Sequence, residues 1–383
     1  MTNPAVYLRD PAYLNAVRSL KRTDEKGYLY EMDCSYDYYK LPDVFLGMLD
    51  AGCSTFFSKN QKQEYLLGRN YDYSHYYLND RKTPRTGMNV IVHGNNPAAK
   101  YRSLGVADAY WCDYKNGTFA EGRGDDGTTD LSALVILPFV CMDGINEAGL
   151  GVSIMALCCK VNWEETDYDT YSEKVKEELS VKLIDTLGEL PEPMDYKAAE
   201  GTVAVDHVNH RAWIAHMTSA GTNMPGKPKV LHPVLMRMML DNCADVEEAV
   251  KYASQFNVAS VFPGSDYHIL VCDSKGNSVL LEWWDNEMKV IPRNRATNYH
   301  ISVDDGFHGK CGRDACLEAG LFRSEKNGMR EDFAKLLLQM VHQEPDNGMD
   351  YGITQYSCIY NVNKGTLEIS SFCDFSVFYT ISL

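Results

Sequence analysis

The stretch that decides the fold is DAGCSTFF, residues 50–57, which is followed by LLGRNYDY, residues 66–73. The apolar runs 53–57 and 64–70 are separated by the turn-like SKNQKQ, and this pattern predicts a β-hairpin. Cys53 begins the first strand directly after Gly52. Because glycine allows backbone geometries that are closed to other residues, the pair predicts a strained peptide bond that can be cleaved.

Cleavage between Gly52 and Cys53 would give Cys53 a free α-amine beside its thiol. An α-amine has a reference pKa near 8, so it can act as a general base at neutral pH. None of the ten histidines lies in a recognisable catalytic motif, and the amine would remove the need for one. The alternative is that Cys53, one of twelve cysteines, is a small buried packing residue.

Composition limits the classes of function. The 383-residue chain is 45% hydrophobic and has a formal net charge of −16, which argues against binding to nucleic acids or anionic membranes. Its apolar runs are too short to cross a bilayer, and its first twenty residues lack the order of a signal peptide. We therefore expect a cytoplasmic protein whose scattered cysteines are thiols.

The hydrophobic pattern predicts an α+β fold, because antiparallel hairpins and helices occur in separate blocks. Strands are predicted within residues 53–57, 64–70, 88–94, 128–145, 149–158, 201–217, 267–291 and the last fifty residues. Helices are predicted over residues 11–21, 173–187, 243–256 and 330–342. No linker rich in Pro, Gly or Ser divides the chain.

Five motifs together resemble the cysteine N-terminal nucleophile (Ntn) hydrolases of the linear amide C–N hydrolase group, which includes choloylglycine hydrolases, penicillin V acylases, acid-ceramidase-like amidases and isopenicillin acyltransferases. In order, the motifs are CST with GRNYDY (53–55, 68–73), PFVCMDGINEAGLGVSIMAL (138–157), LMRMMLDNCADVEEAV (235–250), ATNYH (296–300) and TQYSCIYNVNKGTLEI (354–369). The resemblance covers nearly all of residues 53–383. It implies a four-layer αββα sandwich of two antiparallel sheets flanked by helices.

The resemblance also implies roles for individual residues. Cys53 would be the nucleophile, and Arg69 would help to hold its thiol as a thiolate. Asp72 would bind and orient the new α-amine. Asn298 would donate to the oxyanion, a contribution of ~3 kcal/mol in comparable sites.

Two positions fit the family pattern less well. The second arginine of the family, on a helix after the asparagine, corresponds to Arg313, with Arg323 as the competitor. Ala156 occupies a place where bile-salt hydrolases carry a polar residue, which leaves one oxyanion donor to be supplied by a backbone N–H.

The resemblance identifies residues 1–52 as a propeptide that is removed or kept as a small subunit, and residues 53–383 as the catalytic domain. The implied activity is hydrolysis of a small N-acyl amide, with no metal or organic cofactor. Tyr71, Tyr73 and Tyr76 are candidates for the acyl pocket. An isopenicillin-type acyltransferase and an inactive binding module are the alternatives, and the oligomeric state is left open.

Overall fold

The computed structural model describes residues 10–41, 52–73, 88–112, 131–157, 222, 224–259, 267–284, 286–303, 308–343 and 353–383. The helix predicted over 173–187, the strands predicted over 201–217 and the tyrosine at position 76 lie outside the described residues. Within them, two stacked sheets and the helices on their outer faces form the fold.

A nine-stranded sheet, called here the large sheet, makes up one inner layer. Its strands are β1 (Lys21–Arg22), β2 (Leu29–Cys34), β5 (Asn89–Gly94), β6 (Ser103–Asp108), β7 (Cys141–Asn146), β8 (Leu150–Ala156), β11 (Tyr267–Asp273), β12 (Ser278–Trp284) and β13 (Glu287–Pro292), hydrogen-bonded in that order. All neighbours are antiparallel except β2 and β5, which are parallel.

A six-stranded antiparallel sheet, called here the small sheet, makes up the other inner layer. Its strands are β3 (Gly52–Lys59), β4 (Tyr65–Asp72), β14 (Arg295–Ala296), β15 (Thr354–Asn361), β16 (Thr366–Ser371) and β17 (Tyr379–Ser382). They are hydrogen-bonded in the order β14-β3-β4-β15-β16-β17. The hairpin predicted from the opening motif is therefore β3–β4, at the centre of this sheet. Strands β9 (Lys229–Leu231) and β10 (Asn257–Ala259) form a separate parallel pair.

Helices cover the outer faces of both sheets. Four of them are α2 (His232–Asn242), α3 (Val246–Ala253), α4 (Gly312–Glu325) and α5 (Glu331–Met340). Helices α2 and α3 pack on the large sheet, and α4 and α5 pack on the small sheet around the apolar side chains of Phe56, Leu317 and Leu337. The main hydrophobic core fills the space between the sheets and continues beneath α2. The predicted four-layer αββα arrangement is confirmed.

Residues 10–41 are part of this architecture. They contribute helix α1 (Pro11–Arg18), which begins at the N-cap Asp10, as well as β1 and β2. Strand β2 is buried at five of its six positions and pairs in parallel with β5 along its whole length. Pattern reasoning found the helix but missed the two strands, because β1 is only two residues long and β2 does not alternate between apolar and polar residues.

One secondary-structure prediction is wrong. Leu131–Val140 forms 3-10 helix, and β7 begins only at Cys141. A short continuous apolar run cannot be assigned to helix or strand by its period, and this run contains Pro138, which cannot donate to a sheet ladder.

Candidate active site

The β3–β4 hairpin sorts the candidate residues onto two faces. In its register Cys53 lies opposite Tyr71, and Thr55 lies opposite Arg69, so these four side chains share one face. That face is turned toward the large sheet. Arg69 is diagonal to Cys53, and its Nη2 donates a hydrogen bond to Cys53 Sγ over 2.9 Å. The spacing of sixteen residues between them is what the hairpin needs to bring the two groups together.

The thiol lies in a buried site of mixed charge. Only 1% of Cys53 is exposed. Burial raises the pKa of the thiol, while the positive charges of Arg69 and Arg313 lower it and the carboxylate of Asp72 raises it. Because the net direction is upward, this thiol in the uncut chain is a weaker nucleophile at neutral pH than an exposed one, and a nearby base would be needed to activate it.

Asn298 binds the backbone of Cys53. Its Oδ1 accepts a hydrogen bond from the Cys53 backbone N–H over 2.5 Å. Strand β14 pairs with β3 so that Ala296 lies opposite Thr55, and two further residues along the chain bring Asn298 beside Cys53. The amide oxygen is thus aimed at the nitrogen that cleavage before Cys53 would turn into an α-amine.

The other end of the Asn298 amide is also bound. Its Nδ2 donates to the backbone carbonyl of Ala156, the last residue of β8, over 2.7 Å. Position 156, where a polar side chain was expected, therefore reaches Asn298 through a main-chain oxygen that any residue provides. This hydrogen bond uses one of the two N–H groups of Nδ2 and fixes the orientation of the amide.

Arg313 joins these groups from the first turn of α4. Its Nη1 donates to the backbone carbonyl of Cys53 over 2.6 Å, and its Nη2 donates to Asn298 Oδ1 over 2.9 Å. The same Nη1 lies 3.4 Å from Asp72 Oδ2. Arg323, the competing residue, lies nearly three turns further along α4, stacks on Phe333 and lines a separate surface cavity of about 280 Å³. The structure thus brings Arg313 to Cys53 and leaves Arg323 elsewhere.

Asp72 lies next to the site but on the other face of the small sheet, opposite Gly52 in the β3–β4 register. Its carboxylate accepts hydrogen bonds from Thr354 Oγ1 over 2.5 Å and from Gln343 Nε2 over 3.1 Å, and it pairs with Arg313. Burial raises its pKa, although these partners act in the opposite direction. In the uncut chain the bond to the Cys53 nitrogen is thus made by Asn298, while Asp72 holds Arg313.

Two of the tyrosines assigned to an acyl pocket, Tyr71 and Tyr73, lie within the described residues and contact the same tryptophan. Tyr71 is fully buried, stacks on Tyr356 with ring centroids 5.2 Å apart, and donates to Asp108 over 3.1 Å. Trp111 donates in turn to the Tyr71 hydroxyl over 2.9 Å and lies 4.8 Å from the ring of Tyr73. Tyr71 and Tyr73 therefore belong to one aromatic wall beside Cys53.

Sequence reasoning missed four residues that complete the site. Thr354 and Gln343 bind Asp72, Trp111 binds Tyr71, and Asp143 lies 3.6 Å from Arg69. The only available signal was for Asp143, which begins the DGINEAGL motif. The other three are single polar or aromatic residues whose partners lie far away in the chain.

The described part of the chain contains no group of three or more His, Cys, Asp or Glu side chains arranged to hold a metal ion. Within the same residues, every helix is too short or too polar to cross a membrane.

Comparisons with known proteins gave matches only among solved structures. No protein-family model and no curated protein sequence matches the chain. A point mutant of the conjugated bile acid hydrolase from Clostridium perfringens is 12% identical over 86% of this chain and 92% of that chain, with a TM-score of 0.49. A second variant of that enzyme is 13% identical with the same coverage and TM-score. Penicillin V acylase from Agrobacterium tumefaciens is 14% identical over 83% of each chain, with a TM-score of 0.44.

Proposed function

We propose that this protein is an amidase that activates itself by cutting the chain between Gly52 and Cys53, and then hydrolyses the C–N bond of a small linear N-acyl amide. The observation that carries the proposal is the set of hydrogen bonds that hold the backbone and the thiol of Cys53. Asn298 holds its nitrogen, Arg313 holds its carbonyl, and Arg69 holds its thiol. A packing cysteine needs no such set, whereas a residue that must present an amine and a thiol together does.

The cut begins when Cys53 Sγ attacks the carbonyl carbon of Gly52. The C–N bond breaks, the acyl group moves to sulfur as a thioester, and the nitrogen of Cys53 takes up the thiol proton to become an amine. Water then attacks the thioester, which releases a carboxylate on Gly52 and restores the thiol. The positive charge of Arg69 favours the attacking thiolate, and Asn298 Oδ1 keeps the nitrogen in place.

Substrate hydrolysis would use the same groups in two steps. The α-amine of Cys53 takes the thiol proton as Sγ attacks the substrate carbonyl, and it returns that proton to the leaving amine as the C–N bond breaks. Water, deprotonated by the amine, then releases the acid. The oxyanion needs donors. Asn298 Nδ2 has a second N–H beside the one that binds the Ala156 carbonyl, and backbone N–H groups are the other source.

We further propose that the segment before Cys53 stays bound after the cut. The single O–H of Tyr38 is shared between the two carboxylate oxygens of Asp241, at 2.8 and 2.7 Å, and Tyr39 Oη adds a second hydrogen bond of 2.7 Å. On the other sheet, Asp24 accepts a bond from Ser371 over 3.1 Å. Removal of β2 would expose the edge of β5 and the apolar surface beneath it, so retention as a subunit is the lower-energy outcome.

The substrate class follows from the surroundings of Cys53. The thiol points into the space between the sheets, beside the aromatic wall of Tyr71, Tyr73 and Trp111. Such a wall suits an apolar or aromatic acyl group, with specificity set by a few polar groups around it. Transfer of the acyl group to another amine, as in an acyltransferase, uses the same thioester and is the second candidate.

Intact-mass measurement of the purified protein tests the first step. We expect a chain that begins at Cys53 and a separate piece that ends at Gly52, and Cys53→Ala should leave the chain whole. A stable uncut 43.2 kDa chain in the wild type would overturn the proposal. A panel of N-acyl amino acids, bile-salt conjugates, penicillin V and ceramide-like amides, assayed with and without an added amine acceptor, then separates hydrolysis from transfer.

A further inference from the structure

Asp143 is a buried carboxylate that faces Arg69 from the other sheet. Asp143 lies in β7 of the large sheet, and Arg69 lies in β4 of the small sheet. Neither side chain is exposed to solvent, and Arg69 Nε lies 3.6 Å from Asp143 Oδ2. The guanidinium thus lies between two groups, the thiol of Cys53 on one side and the carboxylate of Asp143 on the other.

Arg69 has few other ways to balance its charge. Its Nη2 donates to Cys53 Sγ, while Nε and Nη1 make no hydrogen bond among the described residues. A buried guanidinium without a counter-charge is costly, so a nearby anion is needed. Burial lowers the pKa of Arg69, but Cys53, Tyr356 and Asp143 outweigh it, and the net pKa is raised. Arg69 therefore stays charged, and the thiol of Cys53 and the carboxylate of Asp143 are the anionic groups on its own side of the small sheet, while Asp72 acts on it from the other face.

Asp143 accepts hydrogen bonds that favour its charged form, so it can be one of those anions. Its Oδ2 accepts from Tyr356 Oη over 2.6 Å, and its Oδ1 accepts from Tyr360 Oη over 2.5 Å. Cys358 Sγ lies 3.8 Å from Oδ1 as a weaker third donor. Burial raises the pKa of Asp143, and Arg69 with these donors from β15 lowers it, but burial outweighs them and the net pKa is raised. Three donors from one strand hold the carboxylate in a single orientation toward Arg69.

We propose that Asp143 is a positioning residue that sets how strongly Arg69 stabilises the Cys53 thiolate. The carboxylate fixes the guanidinium between the two sheets and compensates part of its charge. As a result, Arg69 attracts the Cys53 thiolate less strongly than it would without Asp143. This inference deepens the proposed amidase function, because the same pair would tune both the self-cleavage and the turnover.

Several charged groups affect the pKa of the Cys53 thiol, and the test must separate the effect of Asp143 from the others. Arg69 acts on Cys53 from the same face of β4, Asp72 acts on it from the other face of that strand, Arg313 acts from α4, and Asp143 acts through Arg69. Replacing Asp143 with asparagine preserves the shape of the side chain but removes its charge. Arg69 is then uncompensated, so the thiolate becomes easier to form.

The experiment is a ¹³C-NMR titration of protein labelled at the cysteine Cβ, in which the Cys53 signal is identified by its loss in Cys53→Ser. We expect Asp143→Asn to shift the titration midpoint of Cys53 to lower pH by about one unit, the lower end of the range for nearby charges. Arg69→Met should raise the midpoint, and adding Asp143→Asn to that variant should cause no further acid shift. Spectra are compared between fractions of the same processing state.

Asp108→Asn is the matched control. It removes another fully buried carboxylate, one that binds Tyr71 instead of Arg69, so its effect on the midpoint should be well below that of Asp143→Asn. Equal shifts in the two variants, no shift in Asp143→Asn, or an undiminished shift in the Arg69→Met background would each overturn the proposal.

A milder variant covers the case in which Asp143→Asn does not fold. Tyr356→Phe with Tyr360→Phe keeps the carboxylate but removes its two strong donors, so Asp143 ionises less readily and the Cys53 midpoint should move to lower pH by about half a unit. An unchanged midpoint in this folded variant would refute the role of Asp143. The titration needs neither cleavage nor a substrate, so a failure of the amidase proposal would be recognised separately by intact mass.

Discussion

Arg313→Gln tests whether the arginine of α4 positions Cys53 for the reaction. Arg313 donates to the Cys53 carbonyl over 2.6 Å and to Asn298 Oδ1 over 2.9 Å. Hydrogen bonds from a charged donor contribute about 1.5–3 kcal/mol each. Glutamine keeps at most one of the two and loses the ion pair with Asp72, so we expect a loss of about 3 kcal/mol of positioning. Because each 1.4 kcal/mol is a factor of ten, both self-cleavage and turnover should slow about 100-fold.

The assay follows the uncut fraction by intact mass after synthesis, and then the initial rate of amide hydrolysis by the cut enzyme. Arg323→Gln is the matched control, since it makes the same substitution on the same helix but at a residue that contacts Phe333 instead of Cys53. We expect this control to cut and turn over within about twofold of the wild type. Equal defects in the two variants would mean that α4 acts only through its packing, and the reasoning from these contacts would be refuted. Circular dichroism should show that both variants are folded.

Two further predictions concern the retained segment and acid stability. Tyr38→Phe removes the hydroxyl that binds the carboxylate of Asp241, a loss of about 2 kcal/mol. The cut segment should therefore dissociate about 30-fold more readily, as measured by analytical ultracentrifugation. Unchanged dissociation would argue against this anchor. Burial raises the pKa of Glu282, but hydrogen bonds with His268 and other groups outweigh it and hold the pKa well below the usual range. A depressed carboxyl pKa stabilises the fold above about pH 4.5 and loses that effect as the pH falls, so the unfolding free energy of Glu282→Gln should depend less on pH between 5 and 3 than that of the wild type. Equal slopes in urea-unfolding series of the two proteins would contradict this.

The sequence determined the local parts of this protein. Two short apolar runs and a polar turn predict the β3–β4 hairpin, and the two-residue period of a strand puts Cys53 and Arg69 on one face. Helix α3 could also be predicted from the sequence, because Asp245 caps it and its apolar residues follow the helical period. These features depend on residues that are close in the chain, so their physics acts within a short window.

Only the tertiary structure decided how the site is assembled. Asn298 and Arg313 reach Cys53 from 245 and 260 residues away, and nothing local distinguishes Arg313 from Arg323 until the direction of α4 is known. The contact of Asp143 with Arg69 exists because two sheets stack face to face, which no single strand encodes. The parallel pairing of β2 with β5 likewise depends on the edge that the rest of the large sheet leaves open. Packing between distant elements therefore brings buried charged and polar groups to Cys53, and the local sequence around that cysteine does not specify them.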